Sequence, residues 1–471
     1  MIDEDYLKNI NEYAEGMGVS FASARGENRK TTNYLLKNGV IESVVNSFSS
    51  GFNVKVNVNG NIGFASTDLW SREEGVKISD IAIRNAKYAK RKNKINMDDE
   101  KAIRDDWSVN IKKKTLDMDK SDIIELLTDI NKAIIDTKIK IPGVVIMFSI
   151  EDIYKVIVNS NGTNIKSKDS KITLFAYISI AENNQSSQFY KMYGFTGGME
   201  AFDVWHADED LKNECIIQKK ILDNGVSIKP QKYTVVCGPE VSGIAAHESA
   251  GHPMEADRIL GREISQAGGS FITAEMLGTQ IGSEYATVID DPTIENSYGY
   301  FKYDDEGVRG VKKFLYNKGK INDFLHNRES AAKMNKKSNG SSRAASYDLE
   351  DIVRMSSTYI SPGDWEKDDI IKDIKNGVYM KSFTEWNIDD WRFNQKYVAR
   401  EAYYIKNGEI CEPLKRCVLE ITTPNFWKSI DAASKELEWN SAMCGKGDPE
   451  QGVPVFTGGP TIRLQGVYLY D

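Results

Sequence analysis

Three observations predict an α+β protein. Runs of alternating apolar and polar residues are closed by Asn-Gly and Lys-Asn-Gly turns, helical repeats sit between those runs, and one β-branched run feeds straight into a helix. The expected arrangement is an N-terminal mixed α/β domain built on an antiparallel sheet, residues 1–198. A mostly β domain, residues 199–471, carries the helix that follows the β-branched run.

The chain opens on a helix at about 5–16, with Tyr6, Leu7, Ile10 and Tyr13 at helical spacing. Residues 33–36 and 41–45 flank Lys37-Asn38-Gly39 as a hairpin, and 52–58 alternates strictly before turning through Asn59-Gly60-Asn61 into 62–65. From 71 to about 92 the period becomes helical, through Val76, Ile78, Ile81, Ile83 and Ala86. A polar connector, 92–114, leads to a helix at about 120–138 and strands at 144–150, 154–159, 171–182 and 187–194, with Asn161-Gly162 as a type I′ turn signal. Gly197-Gly198 ends this domain. A helix at about 207–224 links to the strand 233–237. Strand signals return at 284–289, 310–316, 320–325, 399–405 and 416–422, with a helix at about 425–434. The segment 333–346, rich in Ser, Asn, Gly and Lys, is expected to be a mobile surface loop.

At 471 residues the chain has room for two or three domains. Its net charge is −8 and its basic clusters, 90–92 and 112–114, are short and lack interleaved aromatics, so no nucleic-acid partner is expected. The acidic, amphipathic start MIDEDYLKNINEYAEG is unlike a secretory signal and no apolar stretch is long enough to span a bilayer, so no membrane partner is expected and the cytoplasm is the expected location. Five scattered cysteines argue against a disulfide framework.

Chemistry is expected in 233–257, YTVVCGPEVSGIAAHESAGHPMEAD, where two of only four histidines and a glutamate fall within six residues. The zinc-hydrolase pattern is H-E-x-x-H; here the spacing is H-E-x-x-x-H. At about 100° per residue, positions i and i+5 lie roughly 140° apart on an α-helix, too far to share a metal. The helix must therefore end or bulge between the histidines so that His252 swings back toward His247. Gly251 tolerates unusual dihedrals and Pro253 disfavours the α conformation for His252, so both assist. Gly243, Ala245, Ala246, Ser249, Ala250 and Gly251 let neighbouring backbone approach closely. The plainer alternative is a capped helix end with a solvated Glu-His pair. A hydrolytic zinc needs three protein ligands and an open position, and these residues leave the third ligand unassigned. His206 and His326 are expected to be packed or solvated. Cys444 lies in a Gly-rich loop beside Lys446, a setting that favours the thiolate, although composition alone makes it a small buried hydrophobe.

The second half resembles the TldD/PmbA family of metalloproteases, on the TldD side that keeps the metal motif. The resemblance is carried by HESAGHPMEAD (247–257), GYFKYDDEGVRG (299–310), RMSSTY (354–359) and CGKGDPEQGVPVFTGGPTIRL (444–464), in the family's order. It implies zinc held by His247, His252 and Cys444, with Glu248 as catalytic base. A Cys/His donor set also accepts Fe(II). The resemblance further implies a protease acting on small or unstructured peptides, and a dimer, either homodimeric or paired with a PmbA-type subunit that lacks the ligands. Glu255 and Asp257 are candidates to hold the imidazoles, and Arg354, Ser356 and Thr358 to line a peptide groove, where an extended substrate could add to a sheet edge. Asp304-Asp305-Glu306-Gly307 is an acidic turn without the spaced ligands of a calcium loop. The chain departs from the family pattern at 338–347 (SNGSSRAASY, where a more arginine-rich version is frequent) and at Gly458-Gly459-Pro460 (where Gly-Gln-Pro is common). Two alternatives stay open. A serine hydrolase built on Ser249 lacks the first glycine of G-x-S-x-G. A non-catalytic, PmbA-like peptide-binding subunit is at odds with the intact ligand set.

Overall fold

The computed structural model describes every residue except 1, 90–93, 96, 98, 99, 115–117, 183 and 264–266, so the basic cluster 90–92 lies outside the described residues. The first sheet is built from β1 (Phe21–Lys37), β2 (Val40–Val58), β3 (Asn61–Thr67), β4 (Arg104–Ser108), β5 (Gly143–Asn159), β6 (Asn164–Glu182) and β7 (Gln185–Thr196). Its order is β3-β2-β1-β5-β6, with β4 and β7 both paired to β6. Asn38 and Gly39 stand at φ 49° and 81°, the two positive angles of a type I′ turn, whose twist suits the long strands on either side. Asn161-Gly162 differs from expectation. Only Gly162 is left-handed (φ 88°) and its N–H bonds Asn159 O at 3.0 Å, a type I turn closed by a left-handed glycine. β4 lies inside the segment expected to be a polar connector; its charged sequence RDDWS hides a strand that pairs in parallel with β6.

Strand alternation gives this sheet two unlike faces. Ala22, Ala24, Val54 and Val156 meet α1 (Glu4–Gly16) and α2 (Arg72–Tyr88) through Leu7, Ile10, Ile78 and Ile83. Further along the same face, Tyr34, Leu36, Ile146 and Phe148 meet α3 (Lys120–Ile135) and, beyond the short α4 (Phe202–Trp205), α5 (Ala207–Asn224) through Leu127, Leu211 and Cys215. Each large aliphatic side chain buried this way contributes roughly 1.5–3 kcal/mol. Asp3, whose carboxylate accepts from the N–H groups of Asp5 and Tyr6, fixes the start of α1, and a reciprocal Asp119–Asp122 capping box fixes that of α3.

The second half contains β8 (Gln231–Cys237), β9 (Val288–Asp290), β10 (Lys313–Asn317), β11 (Lys320–Ile321), β12 (Ser342–Arg343), β13 (Ile352–Val353), β14 (Ser357–Ile360), β15 (Asn376–Ile388), β16 (Asn394–Lys406), β17 (Glu409–Pro413), β18 (Val418–Thr422), β19 (Ile430–Ala433), β20 (Glu438–Lys446), β21 (Gln451–Gly459) and β22 (Ile462–Tyr470). One sheet runs β11-β10-β9-β14-β21-β20. The other, β15-β8-β22-β18-β16, closes on itself because β16 also pairs with β15, giving a barrel. The expected strands at 284–289 and 320–325 shrink to three and two residues. The expected surface loop 333–346 is instead largely buried at its C-terminal end. Asn339 accepts the His326 N–H (2.8 Å) and donates to Phe324 O (2.7 Å), and Arg343 donates to Met355 O (2.7 Å). Asn339 and Arg343 thus saturate buried backbone, while Lys333, Asn335, Lys336 and Lys337 face water. Among the described residues no helix is long and apolar enough to cross a membrane.

The other face of the first sheet is charged and meets the second half. Arg25 and Lys155 pair with Asp305 (3.1 and 2.8 Å), and Lys55 pairs with Glu306 (3.1 Å) and Asp351 (2.8 Å). The acidic turn is therefore a buried plug. Burial raises the Asp305 carboxyl, but the charges of Lys155 and Arg25 outweigh it and hold the group well below the usual range. A depressed carboxyl adds stability that is complete above its unfolded value near 3.9 and disappears as pH falls through the folded value. Asp305→Ala takes the carboxylate from buried Arg25 and from half-buried Lys155, which keeps Glu27 at 3.7 Å, and is expected to cost about 3 kcal/mol at pH 7 in urea titrations. The gap to wild type should narrow below about pH 4.

Candidate metal centre

β8 runs up the barrel into Gly238, where an added Cβ would meet Lys381 O at 2.4 Å. Pro239, suited to the first helical turn, then starts α6 (Pro239–Ala246). This helix packs tightly on β21: a Cβ on Gly243 would lie 3.3 Å from the Gly458 backbone, and one on Gly459 1.9 Å from Ser242 Oγ. The small residues of the motif thus permit the expected close approach.

The helix bulges between the histidines. His247–Gly251 form one turn of π-helix, closed by the His252 N–H donating to His247 O, five residues back. His252–Met254 then tighten into a 3₁₀ turn. The bulge absorbs the extra residue, and the two imidazole centroids come to 4.9 Å with their planes at 80°. The backbone distortions expected at Gly251 and His252 do not occur, while the small size of Gly251 matters as expected. Gly251 is ordinary in backbone (φ −56°, ψ −63°) and small because a Cβ would lie 1.9 Å from Met355 Sδ. His252 keeps right-handed helical dihedrals (φ −59°, ψ −43°) despite Pro253. The bulge frees the Ser249 carbonyl, which accepts from Trp427 Nε1 (3.2 Å) and Tyr316 Oη (3.4 Å). Ser249 Oγ is fully buried and donates to Ala245 O at 2.6 Å, leaving no serine nucleophile there.

Cys444 reaches the histidines from β20, where it faces Val453 of β21. Its Sγ lies 3.4 Å from His252 Nε2, and ligand atoms of His247, His252 and Cys444 all fall within 4.8 Å of one another, all buried. His247 Nδ1 has no partner among the described residues. Burial alone would raise the thiol, yet the charges of His252, Arg354 and His247 hold it well below its usual range. Two imidazoles and a thiolate at this spacing can hold a metal ion of the zinc type. His206, exposed at a left-handed corner, and His326, buried with Nδ1 3.1 Å from Ser330 Oγ, stand outside the cluster.

Glu255 Oε2 meets His252 Nδ1 (2.9 Å), Arg258 Nε (2.5 Å) and Lys446 Nζ (3.3 Å). Burial opposes its ionisation, but Lys446, His252 and Arg258 keep the carboxyl well below the usual range. Asp257 meets Lys446 through both oxygens (2.8 Å) rather than an imidazole. Lys446 thus serves this acidic pair, and the thiol owes its shift to His252, Arg354 and His247 instead. Arg354, Ser356 and Thr358 are fully buried behind the cleft wall. Arg354 donates to Cys444 O and to Gln451 O (2.8 Å), bracing the hairpin that carries the cysteine. Ser356 and Thr358 donate to Asp290 (2.8 and 3.0 Å). Glu248 Oε1 accepts from Trp386 Nε1 (3.1 Å) and Oε2 from Arg392 (2.7 Å), two partners on the β15–β16 hairpin that no spacing or motif singles out.

His247, Glu248, His252 and Cys444 line a cleft of about 1370 Å³ between the two halves. The first half contributes Phe175, Tyr190 and Trp205, and the second Trp386, Trp439 and Phe456. Ser441 ties the strands β20 and β7 beside it, accepting from Gly194 N–H (2.8 Å) and donating to Gly194 O (3.1 Å).

A protein able to hold a metal on the wall of a large cleft is the class these features define, and comparison with known proteins makes it a metallopeptidase. Residues 230–469 match the PmbA/TldA metallopeptidase C-terminal domain, 22–86 match domain 1 and 113–224 the central domain. The chain belongs to the PmbA/TldD family of metallopeptidases. It is 32% identical to a metalloprotease of Methanocaldococcus jannaschii over 97% of each chain. It is 27% identical to a zinc metalloprotease TldD homolog of Saccharolobus solfataricus, over 96% of this chain and 97% of that one. Its fold is similar to that of TldE from Thermococcus kodakarensis, with a TM-score of 0.77 at 16% identity, covering 99% of this chain and 100% of that one.

Gly251→Ala forces a methyl group into Met355, which is itself fully buried. A loss of about 1–3 kcal/mol in chemical denaturation is expected, as for other overpacked cores.

Proposed function

We propose that His247, His252 and Cys444 bind one zinc ion, and that Glu248 is the general base of a peptidase acting on small or unstructured peptides. The observation that carries this reading is the buried triad itself, three donor atoms within 4.8 Å on the wall of a large cleft. The donor chemistry fits: the unpartnered His247 Nδ1 calls for a ligand, and the thiol is already biased toward thiolate. Fe(II) suits the same donors. When bound, zinc lowers the pKa of a water at its open position and polarises the scissile carbonyl.

The chain's own residues supply the rest. Glu248 takes the proton of the attacking water and passes it to the leaving amine. Glu255 accepts from His252 Nδ1 and so turns Nε2 toward the cysteine, the usual device for orienting a ligating histidine. Asp257 acts through Lys446. Arg354, Ser356 and Thr358 shape the groove from behind. Aromatic side chains line the cleft, and β7 and β20 end their sheets beside it, so an extended peptide can be gripped through its backbone. Family membership supports a cytoplasmic dimer, with a second copy or a PmbA-type subunit as partner.

Metal analysis and cleavage of fluorescein-labelled casein test this reading together. Wild type is expected to carry one equivalent of zinc per chain and Cys444→Ser to lose it. Glu248→Gln is expected to keep the metal and lose roughly 10²–10⁴-fold in rate. Full activity in Glu248→Gln, or undiminished metal in Cys444→Ser, refutes it.

A further inference from the structure

We infer that Arg392, assisted by Trp386, is the positioning residue that sets the carboxylate of Glu248; this rests on the role proposed for Glu248 above. Both oxygens of that carboxylate are held by donors from one hairpin, Oε1 by Trp386 Nε1 at 3.1 Å and Oε2 by Arg392 at 2.7 Å. Each oxygen has two lone pairs, so the grip fixes the direction of the carboxylate and leaves capacity for a water.

Two oddities of Arg392 point the same way. Its backbone is left-handed (φ 62°), a conformation that strains a long side chain and suits glycine or asparagine. Its Nε is buried without a partner among the described residues. An arginine kept under both penalties is there for what it touches. The hairpin tip is also anchored: Gly269 N–H donates to Asp390 O (3.0 Å), Phe271 N–H to Trp391 O (2.8 Å) and Thr423 Oγ1 to Arg392 O (2.7 Å). One carbonyl then joins the two sides of the site. Ala267 O accepts from Arg392 (3.3 Å) and from Arg258 (2.6 Å), and Arg258 holds Glu255, which holds His252. The base and a histidine of the triad are thereby set against the same atom, itself in a left-handed residue (φ 57°).

The test is steady-state kinetics on a fluorogenic, unstructured octapeptide, with zinc content measured in parallel. Arg392→Gly, which suits the backbone angle, is expected to keep its zinc and its KM and lose roughly 100-fold in kcat, the scale of a misplaced catalytic group. Millimolar guanidinium should restore part of that loss. Trp386→Phe, which leaves the hairpin's packing, is expected to lose roughly tenfold in kcat. It also serves as the test if Arg392→Gly does not fold. Wild-type kcat in both variants beside an inactive Glu248→Gln overturns the inference and leaves the base assignment standing. So does a change confined to KM or to zinc content. An active Glu248→Gln overturns the base assignment itself.

Discussion

The hydrogen bond from the His252 N–H to His247 O decides whether two imidazoles share one side of a helix. With regular α-helical winding they would diverge; with the π-turn their centroids stand 4.9 Å apart. Such a turn is poorly tolerated alone, and the surroundings hold it in place. Trp427 and Tyr316 cover the carbonyl that the bulge frees, and Met355 fills the space that a side chain on residue 251 would need. The helix before it lies close on β21 because Gly243, Ser242, Gly458 and Gly459 keep both surfaces thin.

The third donor arrives by a different route, a strand far along the chain. Side chains at i and i+2 of a strand share a face, so Cys444 and Lys446 come in together. The lysine lands between Glu255 and Asp257, a few residues past His252, while Cys444 meets His252. Charge thus sets the register of β20 against the motif. Arg354 completes the join by donating to backbone carbonyls of β20 and β21.

Much of this was legible in local patterns. Hairpin turns at Asn38-Gly39 and Asn59-Gly60, the helices on the first sheet and the need for a break between the histidines all follow from short-range sterics and periodicity. What was illegible depends on contacts between residues far apart in sequence. Nothing in the spacing selects Cys444, which only the resemblance to a family brings forward, and nothing marks Trp386 or Arg392. The segment 333–346 has the composition of a solvated loop, yet Ser338, Asn339 and Arg343 in it bond backbone groups of the interior. Arg354, Ser356 and Thr358 sit behind the cleft wall because their polar groups satisfy carbonyls and the buried Asp290. β4 was missed because an edge strand this short and charged carries almost no apolar alternation.

The acidic turn wedged into the charged face of the first sheet has a mechanical consequence. Arg25 and Lys55 are buried, and Lys155 half-buried, opposite Asp305, Glu306 and Asp351, and hinging the halves apart would expose every one of those couples at once. The jaws of the cleft are therefore riveted at a set gape.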